Sequence, residues 1–188
     1  MKLVKERLNN MLGLYLCARK HRLFGYDIVY NDIDKSFNCD ITCDCRDLLN
    51  NDNLGKRFDF FIATPPCNYY SRANYRRNQS TVALMTKDLL PLCLEKLAII
   101  GKPFLVENVL NDTLILKDQI IKGIIDKYSI YYFKFGGHIF FTNIFIFNFH
   151  KSWQHKQNKQ HVCRNKRDGN YNVDLVIKEF LRIVVDNN

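Results

Sequence analysis

The sequence contains no apolar run approaching the ~20 residues that a membrane-spanning helix needs. The N-terminal residues 1–7 also lack the apolar core of a secretory signal peptide. The seven cysteines are odd in number and cannot all pair as disulfides. These absences predict a cytoplasmic protein with reduced thiols and no membrane segment, located in the host-cell cytoplasm or nucleus if its source is viral.

The ligand spacing of a metal site is also missing. Cys39, Cys43 and Cys45 give a C-x3-C-x-C pattern with no matching second half, which is poor spacing for zinc. A second set of histidines and one cysteine lies in a polar, basic stretch that is typical of a solvated loop: His150, His155, His161 and Cys163. The sequence therefore predicts no bound metal.

Length and charge limit the number of domains and the kind of binding partner. A chain of 188 residues predicts a single domain, 1–188, with 47% apolar and 25% charged residues as in globular proteins. The formal net charge of +9 favours a polyanionic partner such as DNA, because neutralised phosphates release counterions. The alternative interpretation is a Lys- and Asn-rich composition inherited from an AT-rich genome.

Hydrophobic periodicity predicts alternating helices and strands, and hence an α/β fold. The pattern at residues 5–24 favours a helix that stops at Gly25, and 82–98 favours a helix kinked at Pro91. Further helices are predicted at 119–128 and 171–185, and strands at 26–30, 58–63, 104–109 and, as an antiparallel pair turning at Gly136 and Gly137, at 129–135 and 139–149.

Two of the predicted strands end in residues that can carry chemistry. Pro65, Pro66 and Cys67 follow the strand 58–63, and Glu107 and Asn108 end the next one. Open α/β sheets bind their ligands at the carboxyl ends of the strands, and two prolines stiffen the loop before the thiol. Structural alternatives exist: Cys67 could be a packed thiol, and Glu107 a helix-entry or ion-pair carboxylate.

This pair of motifs resembles the C5-cytosine DNA methyltransferase family, most closely its short phage-type branch. The matching strings are Pro65-Pro66-Cys67, Ser71-Arg72-Ala73, Glu107-Asn108-Val109 and, later in the chain, Thr142-Asn143-Ile144 before an aromatic residue. The resemblance spans about residues 11–185. It implies a Rossmann-like S-adenosylmethionine-dependent methyltransferase fold, with a mostly parallel sheet and an antiparallel C-terminal strand pair.

The family's reaction assigns roles to three of these residues. Cys67 would attack C6 of a flipped cytosine as a thiolate, with a pKa depressed by nearby arginines such as Arg72. Glu107, held protonated, would stabilise the charge that develops at N3 of the ring. Asn108 and the backbone around Pro65 would orient the base.

The same resemblance implies S-adenosylmethionine as cofactor. Asp32, at the end of the second strand, matches the acidic residue that binds its ribose, although a turn aspartate is the alternative. Asp44 matches the residue that accepts from the adenine amino group, and Asp40 is a rival for that position. Pro65 is assigned to the cofactor site as well.

DNA contacts are predicted in two basic segments. The loop 64–80 places arginines beside tyrosines and contributes Ser71, Arg72, Arg76 and Arg77. The second segment is a short loop at about 150–170 in place of a full target-recognition domain, with Lys151, Lys156, Arg164, Lys166 and Arg167. The protein is expected to act as a monomer.

Two features of the family are missing. Its first strand ends in a Phe-x-Gly-x-Gly turn, expected near residues 9–15, where this chain has Gly13 alone. The basic residues expected ahead of Thr142 are also absent, and His138 is the polar residue left there. The first strand is therefore expected to be lacking or degenerate, through truncation or decay.

These gaps favour, as a competing function, an inactive methyltransferase relic that binds DNA. An N4-cytosine or N6-adenine methyltransferase is disfavoured, because Cys67 takes the position of the aromatic residue in their Pro-Pro-aromatic loop.

Overall fold

The structure is a computed structural model that describes residues 11–74, 76–145 and 168–186. Its strands are β1 (Leu12–Leu16), β2 (Asp27–Asp32), β3 (Ile41–Thr42), β4 (Phe60–Ala63), β5 (Phe104–Val109), β6 (Tyr131–Phe135) and β7 (His138–Thr142). Its helices are α1 (Cys45–Leu49), α2 (Leu54–Arg57), α3 (Thr81–Thr86), α4 (Leu89–Ile100), α5 (Asp112–Ile115), α6 (Gln119–Tyr128) and α7 (Asp168–Asp186), with a 3-10 turn at Lys35–Phe37.

The strands form one seven-stranded sheet in the order β3-β2-β1-β4-β5-β7-β6. β1 to β5 pair in parallel, whereas β7 runs antiparallel to both β5 and β6. The hairpin between β6 and β7 turns at Gly136 and Gly137, whose φ angles of 59° and 82° suit a two-residue turn between twisted strands. The predicted α/β fold class, a mostly parallel sheet with an antiparallel C-terminal pair, is confirmed.

The predictions of a helix at 5–24 and of a lacking first strand are wrong, although residues 1–10 lie outside the described part. β1 is present at the centre of the sheet, between β2 and β4. A central parallel strand is buried on both faces, so Leu14, Tyr15 and Leu16 form a continuous apolar run rather than an alternating one. Such a short run also fits a helical period, which explains the error.

Gly13 belongs to this strand and not to a ligand-binding turn. A Cβ placed at Gly13 would lie 2.2 Å from the ring of Phe60 on the neighbouring strand. The glycine is needed because the Phe60 ring crosses β1 at this point.

The connection between β1 and β2, residues 17–26, contains no helix. Parallel neighbours are usually joined by a dozen or more residues that include one. Arg22 holds this short connection together: its Nη1 donates to the carbonyls of Arg19 at 3.0 Å and His21 at 2.7 Å, and its Nη2 donates to that of Phe37 at 2.9 Å. Its guanidinium also lies 4.6 Å from the ring centroid of Tyr30.

Two apolar clusters cover the faces of the sheet. On one face Leu49, Leu54, Leu94 and Ile121 bring α1, α2, α4 and α6 onto the strands. On the other face the described cover comes from α7, through Val176, Ile177, Phe180, Leu181 and Val184. The helix predicted at 171–185 is confirmed.

The single kinked helix predicted at 82–98 is instead two helices, α3 and α4. Pro91 lies in the first turn of α4, where a missing backbone N–H breaks no helical hydrogen bond, so no kink is needed. Across the described ranges, no helix has the length and apolar character required to cross a membrane.

Candidate functional site

The loop that carries Cys67 is fastened to β5 by Asn108. This side chain is 1% exposed, and its Nδ2 donates to the carbonyl of Pro65 at 3.0 Å. Its Oδ1 accepts from the backbone N–H of Val109, also at 3.0 Å. Both polar atoms of Asn108 are therefore engaged within the protein, and its predicted contact with a base stays a prediction.

A second buried asparagine, not found by sequence reasoning, holds the loop farther along. Asn111 is 4% exposed, and its Nδ2 donates to the carbonyl of Tyr70 at 2.7 Å. The backbone carbonyl of Asn111 accepts from the backbone N–H groups of Leu114 and Ile115, the last two residues of the short helix α5. A helix-start asparagine after a strand was the available signal, but it does not identify Tyr70 as the partner.

The arginines of this loop divide into two groups. Arg77 is half-buried, and it donates from Nε to the carbonyl of Tyr69 at 2.9 Å and from Nη2 to that of Ser71 at 3.0 Å. Arg72 and Arg76 are exposed. Arg77 thus shapes the loop, while the other two arginines present charge to solvent.

Cys67 is half-buried in the loop that follows β4, and Glu107 lies near the carboxyl end of the neighbouring strand β5. Burial raises the pKa of its thiol, the negative charge of Glu107 raises it further, and Arg19 acts in the opposite direction. The predicted depression of this pKa is therefore wrong. The expected helper Arg72 is exposed to solvent, which screens its charge.

Glu107 is paired with His138 on the adjacent strand. His138 Nδ1 lies 2.5 Å from Glu107 Oε1, and the two side chains are 22% and 14% exposed. In the β5–β7 register Glu107 faces Phe140 and Val109 faces His138, so the pair is a diagonal contact on one face of the sheet. Sequence reasoning noted His138 as a polar residue but did not find its partner.

The turn after β1 begins at Cys17, later than the predicted window of 9–15, because the strand ends at Leu16. It contains no glycine, and Cys17 and Arg19 adopt positive φ angles of 57° and 51°. Asp32 stabilises this turn: its Oδ2 accepts from the backbone N–H of Arg19 and its Oδ1 from that of Asp34, both at 3.0 Å.

The two candidate adenine-binding carboxylates also have partners in the protein. Asp44 caps α1 by accepting from the backbone N–H of Arg46 at 2.9 Å, and it forms an ion pair with that guanidinium at 2.8 Å. Asp40 accepts from the backbone N–H of Tyr30 at 2.8 Å. Neither carboxylate lines the cavity described in the next paragraph, so their proposed contacts with a cofactor stay predictions.

A cavity of about 530 Å³ lies where β1, β4 and β5 end and β7 begins, a volume typical of small-molecule sites. Among the residues with predicted roles, Glu107 lines it. Its other walls come from the strand ends, the β1–β2 connection, the 3-10 turn and two residues of α7. The lining residues are Tyr15, Ala18, Arg19, Lys20, His21, Phe37, Thr64, His138, Val173 and Asp174.

A chain of three side chains joins β1 to α7 across this cavity. The hydroxyl of Tyr15 lies 2.8 Å from His21 Nδ1, and His21 Nε2 contacts Asp174 Oδ1. Burial raises the pKa of Tyr15, so its phenol stays protonated beside the imidazole. Because His21 and Asp174 are 153 positions apart, no local sequence pattern marks the contact.

Behind the turn, interaction with Cys17 and Cys93 lowers the pKa of the Cys45 thiol. Interaction with Cys45 and burial both raise the pKa of the Cys93 thiol. Within residues 11–74, 76–145 and 168–186, no group of three or more histidine, cysteine or acidic side chains is arranged to hold a metal ion. These thiols instead pack with the apolar core beneath the β1 turn.

The predicted basic loop at about 150–170 lies largely outside the described residues, and Lys151, Lys156, Arg164, Lys166 and Arg167 all do. Their role in DNA binding stays a prediction, as do the single domain and the monomeric state.

No protein-family model and no curated protein matches this sequence. Among solved structures, the chain is similar to a protein described as a DNA modification methyltransferase encoded within an E. coli prophage, with 17% identity and a TM-score of 0.44 over 71% of this chain and 46% of that one. It is also similar to the Entamoeba histolytica methyltransferase EhMeth, with 11% identity and a TM-score of 0.45 over 73% of this chain and 54% of that one. The likeness is distant, and this chain spans about half the length of each of these structures.

Proposed function

We propose that this protein is a DNA (cytosine-5)-methyltransferase that transfers a methyl group from S-adenosylmethionine to C5 of a flipped cytosine. One observation carries the proposal: β4 and β5 are neighbouring parallel strands, with Cys67 in the loop that follows β4 and Glu107 near the carboxyl end of β5. The order Pro-Pro-Cys and then Glu-Asn-Val makes that pair resemble the nucleophile and base-holding acid of the family.

The cavity residues fit the proposed cofactor in charge. Arg19 and Lys20 could hold its carboxylate, and Asp174 could attract its cationic groups. Asp32 would contribute by supporting the Arg19 backbone, and Pro65 by fixing the loop beside Cys67. When bound, S-adenosylmethionine would supply an electrophilic methyl group.

In this mechanism the Cys67 sulfur bonds to C6 of the ring while N3 takes a proton from Glu107. C5 becomes nucleophilic and accepts the methyl group. A base, which we take to be water, then removes the C5 proton, the C6–S bond breaks, the thiolate leaves and N3 returns its proton to Glu107. The cytosine must be flipped out first, at a cost of a few kcal/mol, because C6 is inaccessible within the stack.

The raised pKa of Cys67 adds a requirement to this mechanism. A half-buried thiol beside a carboxylate is largely protonated at neutral pH, so substrate binding must remove or neutralise the negative charge of Glu107 before the thiolate forms. Protonated Glu107, bonded to N3 of the base, would meet that requirement.

Methyl transfer from labelled S-adenosylmethionine to mixed-sequence DNA tests the proposal. We expect label in the DNA with the wild type and with Cys43→Ala, a half-buried cysteine control near the sheet edge. We expect none with Cys67→Ala. Equal labelling by wild type and Cys67→Ala would show that Cys67 is not the nucleophile.

Fluorocytosine DNA supplies a second readout. The C5 fluorine cannot leave as a proton does, so a Cys67–C6 adduct should accumulate and migrate as a protein–DNA conjugate when cofactor is present. Absence of both label and adduct, in a folded protein that binds cofactor, would exclude the proposed reaction.

A second candidate function is an inactive relic that binds DNA. The glycine-free β1 turn with two strained residues favours it, because the backbone there cannot approach a cofactor as a glycine turn does. This candidate predicts DNA binding that does not change when S-adenosylmethionine is added, whereas an active enzyme should bind DNA more tightly with cofactor.

A further inference from the structure

Glu107 and His138 are held together by the sheet itself. The two residues share one face of adjacent antiparallel strands, and a diagonal pair there is within reach of long side chains. His138 Nδ1 lies 2.5 Å from Glu107 Oε1, within hydrogen-bond distance. Both side chains line the cavity, and both are largely shielded from solvent.

The carboxylate that His138 contacts is the one whose charge acts on Cys67. A bare carboxylate beside a half-buried thiol opposes formation of the thiolate, since two negative charges would lie close together in a poorly solvated site. A hydrogen bond from imidazole, and more so from imidazolium, withdraws charge from that carboxylate. It also fixes one carboxylate oxygen and leaves Oε2 available for a ligand.

We propose that His138 is a positioning residue for Glu107, which orients this carboxylate and offsets its negative charge in front of the Cys67 sulfur. This inference rests on the proposed function, because that function is what makes Cys67 a nucleophile. It does not depend on that function for its test, because the reactivity of the thiol can be measured without DNA or methyl donor.

Other charged or titratable groups face the same cavity from each element around it. They are Tyr15 of β1, Arg19 and Lys20 of the following turn, His21 of the β1–β2 connection and Asp174 of α7. Arg19 and Lys20 are exposed, and His21 is already paired with Asp174. His138 is therefore the charge-bearing group placed to act on Glu107 through direct contact.

The test is the pH dependence of Cys67 alkylation by iodoacetamide, followed on the Cys67 peptide by mass spectrometry. For His138→Phe we expect the midpoint of the rate profile to rise by about one pH unit, because Glu107 keeps its full charge. For Glu107→Gln we expect the midpoint to fall by a similar amount. The double variant should match Glu107→Gln alone, because His138 acts through that carboxylate.

His138→Gln gives a second measurement if the Phe variant does not fold. Its amide can still donate a hydrogen bond but carries no charge, so we expect a smaller rise in the midpoint. His21→Gln is the matched control: it removes the other cavity histidine, which is bonded to Tyr15 and Asp174, and should leave the midpoint unchanged. Circular dichroism of each variant verifies folding.

Two outcomes would overturn the proposal. One is a midpoint of Cys67 alkylation that equals the wild-type value in every His138 variant that folds. The other is a double variant whose shift equals the sum of the two single shifts, which would mean that His138 acts independently of Glu107. A protein that transfers no methyl group but shows the expected midpoints would refute the proposed function and leave the role of His138 standing.

Discussion

Buried amide side chains decide the shape of the loop that carries Cys67. Asn108 and Asn111 each donate to a loop carbonyl that would otherwise lie unpaired in the interior. An unsatisfied buried carbonyl costs about 1–3 kcal/mol, so these two bonds strongly favour one loop conformation. The loop that carries the thiol is thereby held by Asn108, whose contact with a base stays a prediction, and by Asn111, which has no part in the proposed chemistry.

Asn111→Ala tests that role at a residue that lies outside the proposed chemistry. We expect the free energy of unfolding to fall by about 1–3 kcal/mol, because the Tyr70 carbonyl loses its buried donor. Urea denaturation measures the change. Asn74→Ala is the control, since Asn74 makes the same kind of bond to the Asn68 carbonyl at 2.9 Å in an exposed part of the loop. An equal loss in both variants would contradict the importance of burial.

Arg46 provides a pH-dependent contact between α1 and the start of α4. It bridges Asp44 and Asp88, and the hydrogen bond to Arg46 lowers the pKa of Asp88. A carboxyl whose folded-state pKa is lowered adds stability above its unfolded value and loses that contribution as pH falls through the lowered value.

We therefore expect Arg46→Gln to destabilise the protein at neutral pH by about 0.5–1 kcal/mol, a small effect because solvent screens the exposed partner. The difference from wild type should shrink as the carboxyls become protonated. Thermal unfolding across the acid range measures it, with Lys87→Gln as a neighbouring charge control. A difference that is constant with pH would exclude the ion pair as its origin.

At the scale of elements, α7 compensates for the absence of a helix between β1 and β2. The connection is too short to cover the sheet, and α7 places its apolar side chains on that face within the described structure. His21 and Asp174 then tie the connection to the helix. The last described helix thus completes the surroundings of the cavity at the first described strand.

Phe180→Ala measures how much of the fold depends on this helix. Phe180 is 0% exposed, and removal of a buried phenylalanine ring costs about 3–5 kcal/mol. That loss is a large part of the stability of a domain this size, so we expect a markedly lower unfolding midpoint in urea. Lys178→Ala, on the exposed side of the same helix, should change little. Equal midpoints for both variants would show that α7 contributes little to the core.

The elements also show which parts of the fold a sequence can predict. β4, β5 and α6 are confirmed because each has an unbroken apolar run or a clear helical period with nothing to compete. β1 was missed because five residues of a doubly buried strand carry too little pattern to exclude a helix. The division of 82–98 depends on where Pro91 falls within a turn, which periodicity does not determine.

The candidate site divides in the same way. The placement of Cys67 after β4 and of Glu107 near the carboxyl end of β5 could be predicted, because the carboxyl ends of parallel strands lie on the same side of a sheet, whereas their chemical roles stay predictions. The contacts of Glu107 with His138, Asn111 with Tyr70 and His21 with Asp174 join distant parts of the chain. They follow from strand order and packing, and no local spacing encodes them.

For the molecule as a whole, charge is the property that bears on DNA. The sequence carries a formal net charge of +9, and Arg72 and Arg76 lie exposed in the loop at the carboxyl end of β4. Lys56 and Arg57 are equally exposed, but α2 leads into the amino end of that strand, at the opposite edge of the sheet. If DNA responds only to net charge, the two pairs should contribute equally to its binding. If DNA binds at the carboxyl end of β4, Arg72 and Arg76 should contribute more.

DNA affinity measured over a range of salt concentrations separates the two cases. If Arg72 and Arg76 each neutralise a phosphate, their joint change to Gln should make the slope of log affinity against log salt concentration less steep by about 2, because each contact contributes about 0.9. Lys56→Gln with Arg57→Gln removes the same charge and should leave that slope near the wild-type value. Equal reductions in both double variants would mean that DNA responds to the overall charge and is not held at the edge where Cys67 and Glu107 lie.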